Sequence, residues 1–341
     1  MNIAAFLKNQ TVLITGGTGS FGRTMARALS HYDLKEIRIY SRSEDKQEEM
    51  RYQFRDVPNT TYILGDVRDF DQLSKSMADV DYVFHAAAQK HVPTSEYNVL
   101  EAVKTNVLGA QNVIQVCIIN KVKKVIAIST DKAVEPINVM GMTKALQEKL
   151  FIEGNILKNN KQTIFACVRY GNVLGSTGSV LPLFIKQMKE NSALSITHKD
   201  MTRFIITLDQ AVNLVFTTLT KAVGGEIFVP DIPSHTVYDL ARAVLTCTRK
   251  TNGIKEIGIR VGEKIHETLI TPTETLRTIK RIGYFIVLPQ IIIPITQKTY
   301  KHRPMHTPLR YSSDTSKMIG TNDLIVLVKK FLIDNDSDAS F

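Results

Sequence analysis

The stretch Thr15-Gly16-Gly17-Thr18-Gly19-Ser20-Phe21-Gly22 constrains this chain more than any other. It follows an apolar run, Thr11–Thr15, and opens an amphipathic one, Phe21–Ser30. Glycines 16, 19 and 22 recur every third position. Such glycines let a strand turn at once into a helix and let another group lie against the backbone. The same alternation then continues. Glu36–Tyr40, Thr61–Leu64, Asp81–His85, Lys124–Ser129 and Thr163–Tyr170 read as strands, and Glu101–Asn120 as a helix. Most of these strands are continuous apolar runs, the pattern of a parallel sheet covered on both faces. Right-handed strand–helix–strand crossovers then give an α/β fold with a doubly wound parallel sheet.

After about Asn172 the texture changes. Gly, Ser, Pro and Thr become frequent, and apolar segments shorten. Leu181–Glu190 and Asp209–Lys221 read as helices, and Ile227–Val229 and Glu256–Arg260 as strands. The expected organisation is a Rossmann domain over 1–172 and a smaller mixed lobe over 173–341, with some of the later chain returning to the first domain. Residues after about 276 suggest no clear role, and Asp334–Phe341 reads as a polar, frayed end.

Composition excludes several classes. With 43% hydrophobic and 22% charged residues in 341, the chain is neither disordered nor collagen-like. Its three cysteines (Cys117, Cys167, Cys247) are widely spaced, so neither a disulfide framework nor a zinc site is expected. They suit a reducing, cytoplasmic compartment. No apolar run reaches the length of a membrane span, and Met1–Gln10 lacks the pattern of a secretory signal. The formal charge is +10, but the basic residues are scattered. Neither nucleic acid nor a membrane surface is therefore expected as a partner. His85, His91 and His266 form no metal constellation, and no metal is required.

The glycine-rich turn, in its strand–turn–helix context, points to a dinucleotide whose pyrophosphate sits on the helix N-terminus. Gly16, Thr18, Gly19, Ser20, Phe21 and Gly22 would form that cradle. The second strand ends at Ser41-Arg42, with Lys46 close behind. An NAD site commonly has a carboxylate here; a cation suits the 2′-phosphate of NADP, which is the expected cofactor. Asp66 and Val67 follow the third strand, where a carboxylate can accept from adenine. Ala86, Ala87 and Ala88 follow the fourth, where small side chains let the cofactor lie close.

At Ser129-Thr130-Asp131-Lys132-Ala133, followed by Met140 and Lys144, the pattern becomes specific. It resembles the extended short-chain dehydrogenase/reductases that act on nucleotide sugars. Within these it is similar to the C5-inverting UDP-N-acetylglucosamine 4,6-dehydratases of the pseudaminic-acid and capsule type. His85–Pro93, Lys104–Asn106, Arg169–Val173, Gly178–Val180, Met201–Phe204, Gly225–Pro230 and Gly262–Lys264 support the resemblance, which spans roughly Val12–Glu267.

The reaction this implies is redox-neutral. The C4 hydride leaves and later returns to C6, water is lost across C5 and C6, and C5 is reprotonated on the opposite face. The resemblance assigns Asp131 as acid for the C6 hydroxyl, Lys132 as base at C5 and Thr130 as a partner of O4. Lys144 would bind the nicotinamide ribose. A lysine base needs its pKa depressed, and Lys144 is a candidate cation for that. Most of the superfamily has Tyr-x-x-x-Lys; here Met140 stands in the tyrosine position and cannot act as a base. Removal of the O4 proton must then be rerouted through Lys132, through Lys144 and a water, or through a water relay on Thr130.

The second lobe would hold UDP-N-acetylglucosamine. By resemblance, Arg203 and Arg260 meet the diphosphate or ribose, Glu263 a ribose hydroxyl, Asn172 the pyrophosphate and Lys90 the sugar. Ser179, Val180, Pro182 and Thr197 would line the uracil pocket. Arg260 is expected at a strand end. A homo-oligomer, hexamer or dimer, is implied by the family. The alternatives are a UDP-HexNAc 4-epimerase or reductase, which needs no C5/C6 acid–base pair, and a silent NADP-binding protein, supported only by Met140.

Overall fold

The computed structural model describes residues 3–335 apart from 58, 161 and 302–309. Its centre is a nine-stranded sheet. We label its strands β1 (Thr11–Thr15), β2 (Glu36–Ser41), β3 (Thr60–Leu64), β4 (Tyr82–His85), β5 (Lys124–Thr130), β6 (Ile164–Tyr170), β7 (Ile227–Pro230), β8 (Thr278–Arg281) and β9 (Tyr284–Val287). Their spatial order is β8-β9-β7-β6-β5-β4-β1-β2-β3. The seven strands from β3 to β7 are parallel; β9 and β8 add an antiparallel edge. β1 and β4 are fully buried, as their continuous apolar sequences require. The chain order reverses between β1 and β4, which opens a crevice at the strands' carboxyl ends.

Three expectations need correction. The helix read over Glu101–Asn120 is interrupted: helical turns at Val99–Val103 and Gly109–Ile119 flank a wider π-helical segment, Lys104–Leu108. Asn106 lies in that segment, fully buried. Its side chain bonds both backbone groups of Gln89 and the Thr143 hydroxyl. A buried amide with that many partners outweighs the regular helix ladder. The strand read over Glu256–Arg260 is instead Ile254–Glu256, which pairs with Leu194–Ile196. Arg260 therefore ends no strand and lies exposed in irregular chain. Finally, Asp334 and Asn335 belong to the last helix, Thr321–Asn335, while 336–341 lie outside the described residues.

The chain after residue 276 is built into the fold as β8 and β9. A second, smaller apolar cluster packs Leu181, Phe184 and Met188 against Val237, Leu240 and Val244, closed by Leu324 and Val328 of the last helix. Among the described residues, no helix is long and apolar enough to cross a membrane.

Candidate active site

Two clefts meet at the carboxyl ends of β5 and β6. The first, about 520 Å³, follows the crevice beside β1. Gly16, Thr18, Gly19, Ser20, Phe21 and Gly22 form its floor. Gly16 has φ of +65°, and a Cβ there would come within 2.8 Å of the Ala87 backbone. Only glycine fits that approach. The helix α1 (Ser20–Leu29) starts at this floor, and its N-cap, Gly19, offers no side chain to its free N–H groups. Those donors face whatever anion fills the cleft.

Ser41, Arg42, Lys46, Asp66, Val67, Ala86, Ala87 and Ala88 line the rest of this cleft. The Arg42 guanidinium is half-exposed and 3.6 Å from Asp66. Burial alone would raise the Asp66 pKa. Hydrogen bonds from Arg68 outweigh it and hold the carboxyl below its usual range.

The far wall carries Thr130, Lys132, Met140 and Lys144. Met140 and Lys144 are four apart on α2 (Val139–Glu153), so they share a face. The helix is capped by Asn138, whose side chain accepts from Gly141 N–H. The Lys144 ammonium is spent on the Ile128 carbonyl (2.5 Å) and Gln147 Oε1 (2.7 Å). Burial pushes its pKa down from 10.5 to about 8. Met140 is buried and lines the cleft.

Lys132 joins the two clefts, lining both. Its Nζ lies 3.1 Å from Asp131 Oδ1 and 3.1 Å from Glu267 Oε1. Asp131 is fully buried, and its Oδ1 also accepts from the Thr130 hydroxyl at 2.9 Å. Burial works against the Lys132 charge, but these two carboxylates prevail and its pKa is raised. This corrects the expected depression by Lys144. Arg203 is a cation that opposes the charge, and it is outweighed.

The second cleft, about 490 Å³, gathers Val180, Pro182, Thr197, Arg203, Arg260 and Glu263, and shares Asn172 and Ser179 with the first. Ser179 caps α3 (Val180–Lys189), and its buried hydroxyl has no partner among the described residues. Arg203 is buried and bonds the carbonyls of Thr202, Lys264 and Ile265. Arg260 and Glu263 form one turn at the rim, where the Arg260 N–H reaches Glu263 Oε2. Lys90 lies on the first cleft, not the second, and its Nζ donates to the Thr177 carbonyl at 2.7 Å.

Sequence reasoning passed over the loop carrying Ser176 and Thr177, which touches the glycine-rich turn through Ser20. Its signal was the Gly/Ser-rich texture after Asn172. It also passed over Glu267, which had no signal beyond its proximity to Gly262-Glu-Lys264. Among the described residues, no cluster of three or more His, Cys, Asp or Glu side chains is arranged to hold a metal ion.

Residues 12–289 match the model of a family described as polysaccharide biosynthesis protein. The chain belongs to this family. It is 49% identical over 284 residues to the Campylobacter jejuni protein named UDP-N-acetylglucosamine 4,6-dehydratase (inverting), covering 83% of this chain and 84% of that protein. It is 47% identical over 285 residues to a Rickettsia bellii protein named UDP-glucose 4-epimerase, covering 82% and 83%. The solved structure of Pen from Bacillus thuringiensis superposes with a TM-score of 0.88 at 38% identity, covering 95% of this chain and 99% of that one. The Rossmann-type α/β fold and the nucleotide-sugar dehydratase and epimerase group of extended short-chain dehydrogenase/reductases, both expected from the sequence, are borne out.

Proposed function

We propose that this protein is a C5-inverting 4,6-dehydratase of UDP-N-acetylglucosamine that works with NADP. The observation that carries the reading is the adjacent pair Asp131 and Lys132 at the junction of the two clefts, with Nζ and Oδ1 3.1 Å apart. Hydride transfer at C4 alone requires no such pair. Elimination across C5 and C6 needs an acid and a base side by side.

The glycine cradle, the uncapped α1 N-terminus and the Arg42–Lys46 cations suit a 2′-phosphorylated dinucleotide. Bound NADP would supply the hydride acceptor for C4 and, once reduced, the hydride donor for C6. Residues 1–172 would hold it, and 173–341 most of the sugar nucleotide. Lys144 would bind the nicotinamide ribose. Arg203, Arg260, Asn172 and Glu263 would hold the diphosphate and ribose, Ser179, Val180, Pro182 and Thr197 the uracil, and Lys90 the sugar from the cofactor side.

Lys132 rests as an ammonium. Moving one proton from its Nζ to Asp131 Oδ1 produces both reagents at once. The neutral amine can take the C5 proton, and the carboxylic acid can protonate the C6 hydroxyl as water leaves. Thr130 steadies the acid through its bond to Oδ1 and would contact O4. With Met140 in the tyrosine position, we assign removal of the O4 proton to Lys132 after its resting proton has passed to solvent; the O4 proton is then the one that moves from Nζ to Asp131 Oδ1 and leaves with the C6 hydroxyl as water, which frees the amine for C5. Free thiols at Cys117, Cys167 and Cys247 suit a cytoplasmic enzyme, which we infer forms a homo-oligomer, a hexamer or dimer.

The test is proton NMR of UDP-N-acetylglucosamine incubated with the protein and NADP in deuterium oxide. A new C6 methyl signal, deuterium at C5 and L-type ring couplings are expected. D-type couplings would remove the inverting role of Lys132. The second reading, a 4-epimerase, is favoured by the name of the Rickettsia bellii relative. It predicts a C4 epimer with the C6 hydroxymethyl intact.

A further inference from the structure

We infer that Glu267, from the second lobe, is the positioning carboxylate of Lys132: it aims Nζ into the junction of the clefts and stabilises the ammonium formed there. This rests on the dehydratase reading above.

Glu267 is 1% exposed, yet it lines the second cleft. Its Oε1 lies 3.1 Å from Lys132 Nζ, and its buried Oε2 has no hydrogen-bond partner among the described residues. A buried carboxylate with an open oxygen is costly unless a charge compensates it. The Lys264 ammonium approaches Oε2 only to 3.9 Å, because its Nζ donates to the Val134 carbonyl. Lys132 is therefore the principal counter-ion.

The backbone around Glu267 is clamped. Its N–H donates to Ser313 Oγ at 2.9 Å, and its carbonyl accepts from Ser313 N–H at 2.8 Å. Ser313 is itself fully buried and bonded to Thr202 Oγ1. The next residues, Thr268–Ile270, pair with Tyr311–Ser312. The returning C-terminal segment thus fixes a carboxylate against a lysine that enters from β5.

The two carboxylates on Nζ then have separate tasks. Asp131 exchanges its proton with substrate. Glu267 exchanges none and serves as the counter-ion. As the C5–H bond breaks, its proton forms an N–H bond on Nζ, and the electron pair passes into the C5–C4–O4 enolate. The new positive charge develops 3.1 Å from the Glu267 anion. A base is held and its protonated form stabilised by a third group, as in other acid–base constellations. The charged groups facing Lys132 are Asp131 and Glu267, which favour the ammonium, and Arg203 and Lys264, which oppose it.

Two readouts on Glu267→Gln test this. The first needs no substrate: the pH dependence of Lys132 labelling by an amine-reactive reagent, read by peptide mass spectrometry. Loss of the carboxylate charge should move Lys132 titration to lower pH by about one unit or more. The second uses UDP-N-acetylglucosamine with deuterium at C5. The kcat should fall about tenfold or more, KM should change less than about threefold, and the C5 isotope effect should grow. Glu267→Asp keeps the charge at shorter reach. It should titrate near wild type and lie between the two in kcat, and it carries the comparison with wild type if the glutamine variant fails to fold. Unchanged Lys132 titration in Glu267→Gln, an unchanged isotope effect, or an aspartate variant slower than the glutamine one would overturn the assignment. If wild type does not convert the sugar nucleotide, the dehydratase reading fails, and the labelling experiment still judges the Glu267–Lys132 pair.

Discussion

Of the two clefts that meet at Lys132, the first is lined mainly by backbone and small side chains at consecutive strand ends. Gly16, Gly19, Gly22 and Ala86–Ala88 leave room for a ligand by what they lack. The second is lined by larger side chains drawn from distant segments: Pro182, Thr197, Arg203, Arg260 and Glu267. A cleft made of absent side chains tolerates almost no addition. One made of individual contacts loses function piece by piece.

The sharpest test lies where the clefts join. Lys132→Met keeps length but removes the amine. Turnover of UDP-N-acetylglucosamine is expected to fall about 10²- to 10⁴-fold, while NADP affinity changes little; steady-state kinetics and a cofactor titration measure the two. If cofactor binding fell equally, the clefts would not be separable at Lys132.

Next comes the floor of the first cleft. Gly16→Ala forces a Cβ to within 2.8 Å of Ala87 at a φ of +65°. Thermal unfolding should show a loss of about 1–3 kcal/mol, with NADP binding largely abolished. Normal binding by that variant would contradict a backbone-built cradle.

Arg42→Ala should leave the fold untouched, since the side chain is half-exposed. NADP affinity should drop about tenfold while NAD affinity holds, as competing titrations would reveal. Equal losses for both would argue against a 2′-phosphate contact.

Lys144 supplies a pH test of the wall. Its folded-state pKa, about 8, lies below the ordinary 10.5 because burial disfavours the ammonium. The unfolded chain therefore binds more protons between these values. The stability penalty is complete below about pH 8 and is relieved as pH rises toward 10.5. Relative to Lys144→Met, wild type should gain stability across that window in denaturant titrations. A flat difference would mean that the ammonium is not desolvated.

The smallest effect belongs to the rim of the second cleft. Arg260→Ala removes an exposed side chain, so KM for the sugar nucleotide should rise only about two- to fivefold with kcat unchanged. A large fall in kcat would show that this turn closes onto the reacting sugar.

The same contrast decides what was legible in the sequence. The first cleft is encoded by neighbours in the chain, and each of its expected residues lines it. The second requires contacts across long separations, and there the reading slipped. Arg260 is not at a strand end. The expected cation acting on Lys132 was wrong for the same reason. Lys144 is close in sequence and shares the cleft, but Asp131 and, 135 positions after Lys132, Glu267 hold its charge. The break in the helix around Asn106 was hidden too, because its cause, Gln89, lies on another loop.

Sequence alone determined the parallel sheet, the glycine cradle and the adjacency of Asp131 and Lys132. These depend on apolar periodicity, on the missing Cβ of glycine and on adjacency in the chain. Only the tertiary structure decided the charge state of Lys132 and the company it keeps. Coulomb interactions and desolvation act through space, and they brought Glu267, clamped by Ser313 of the returning C-terminal segment, to 3.1 Å from a lysine at the end of β5.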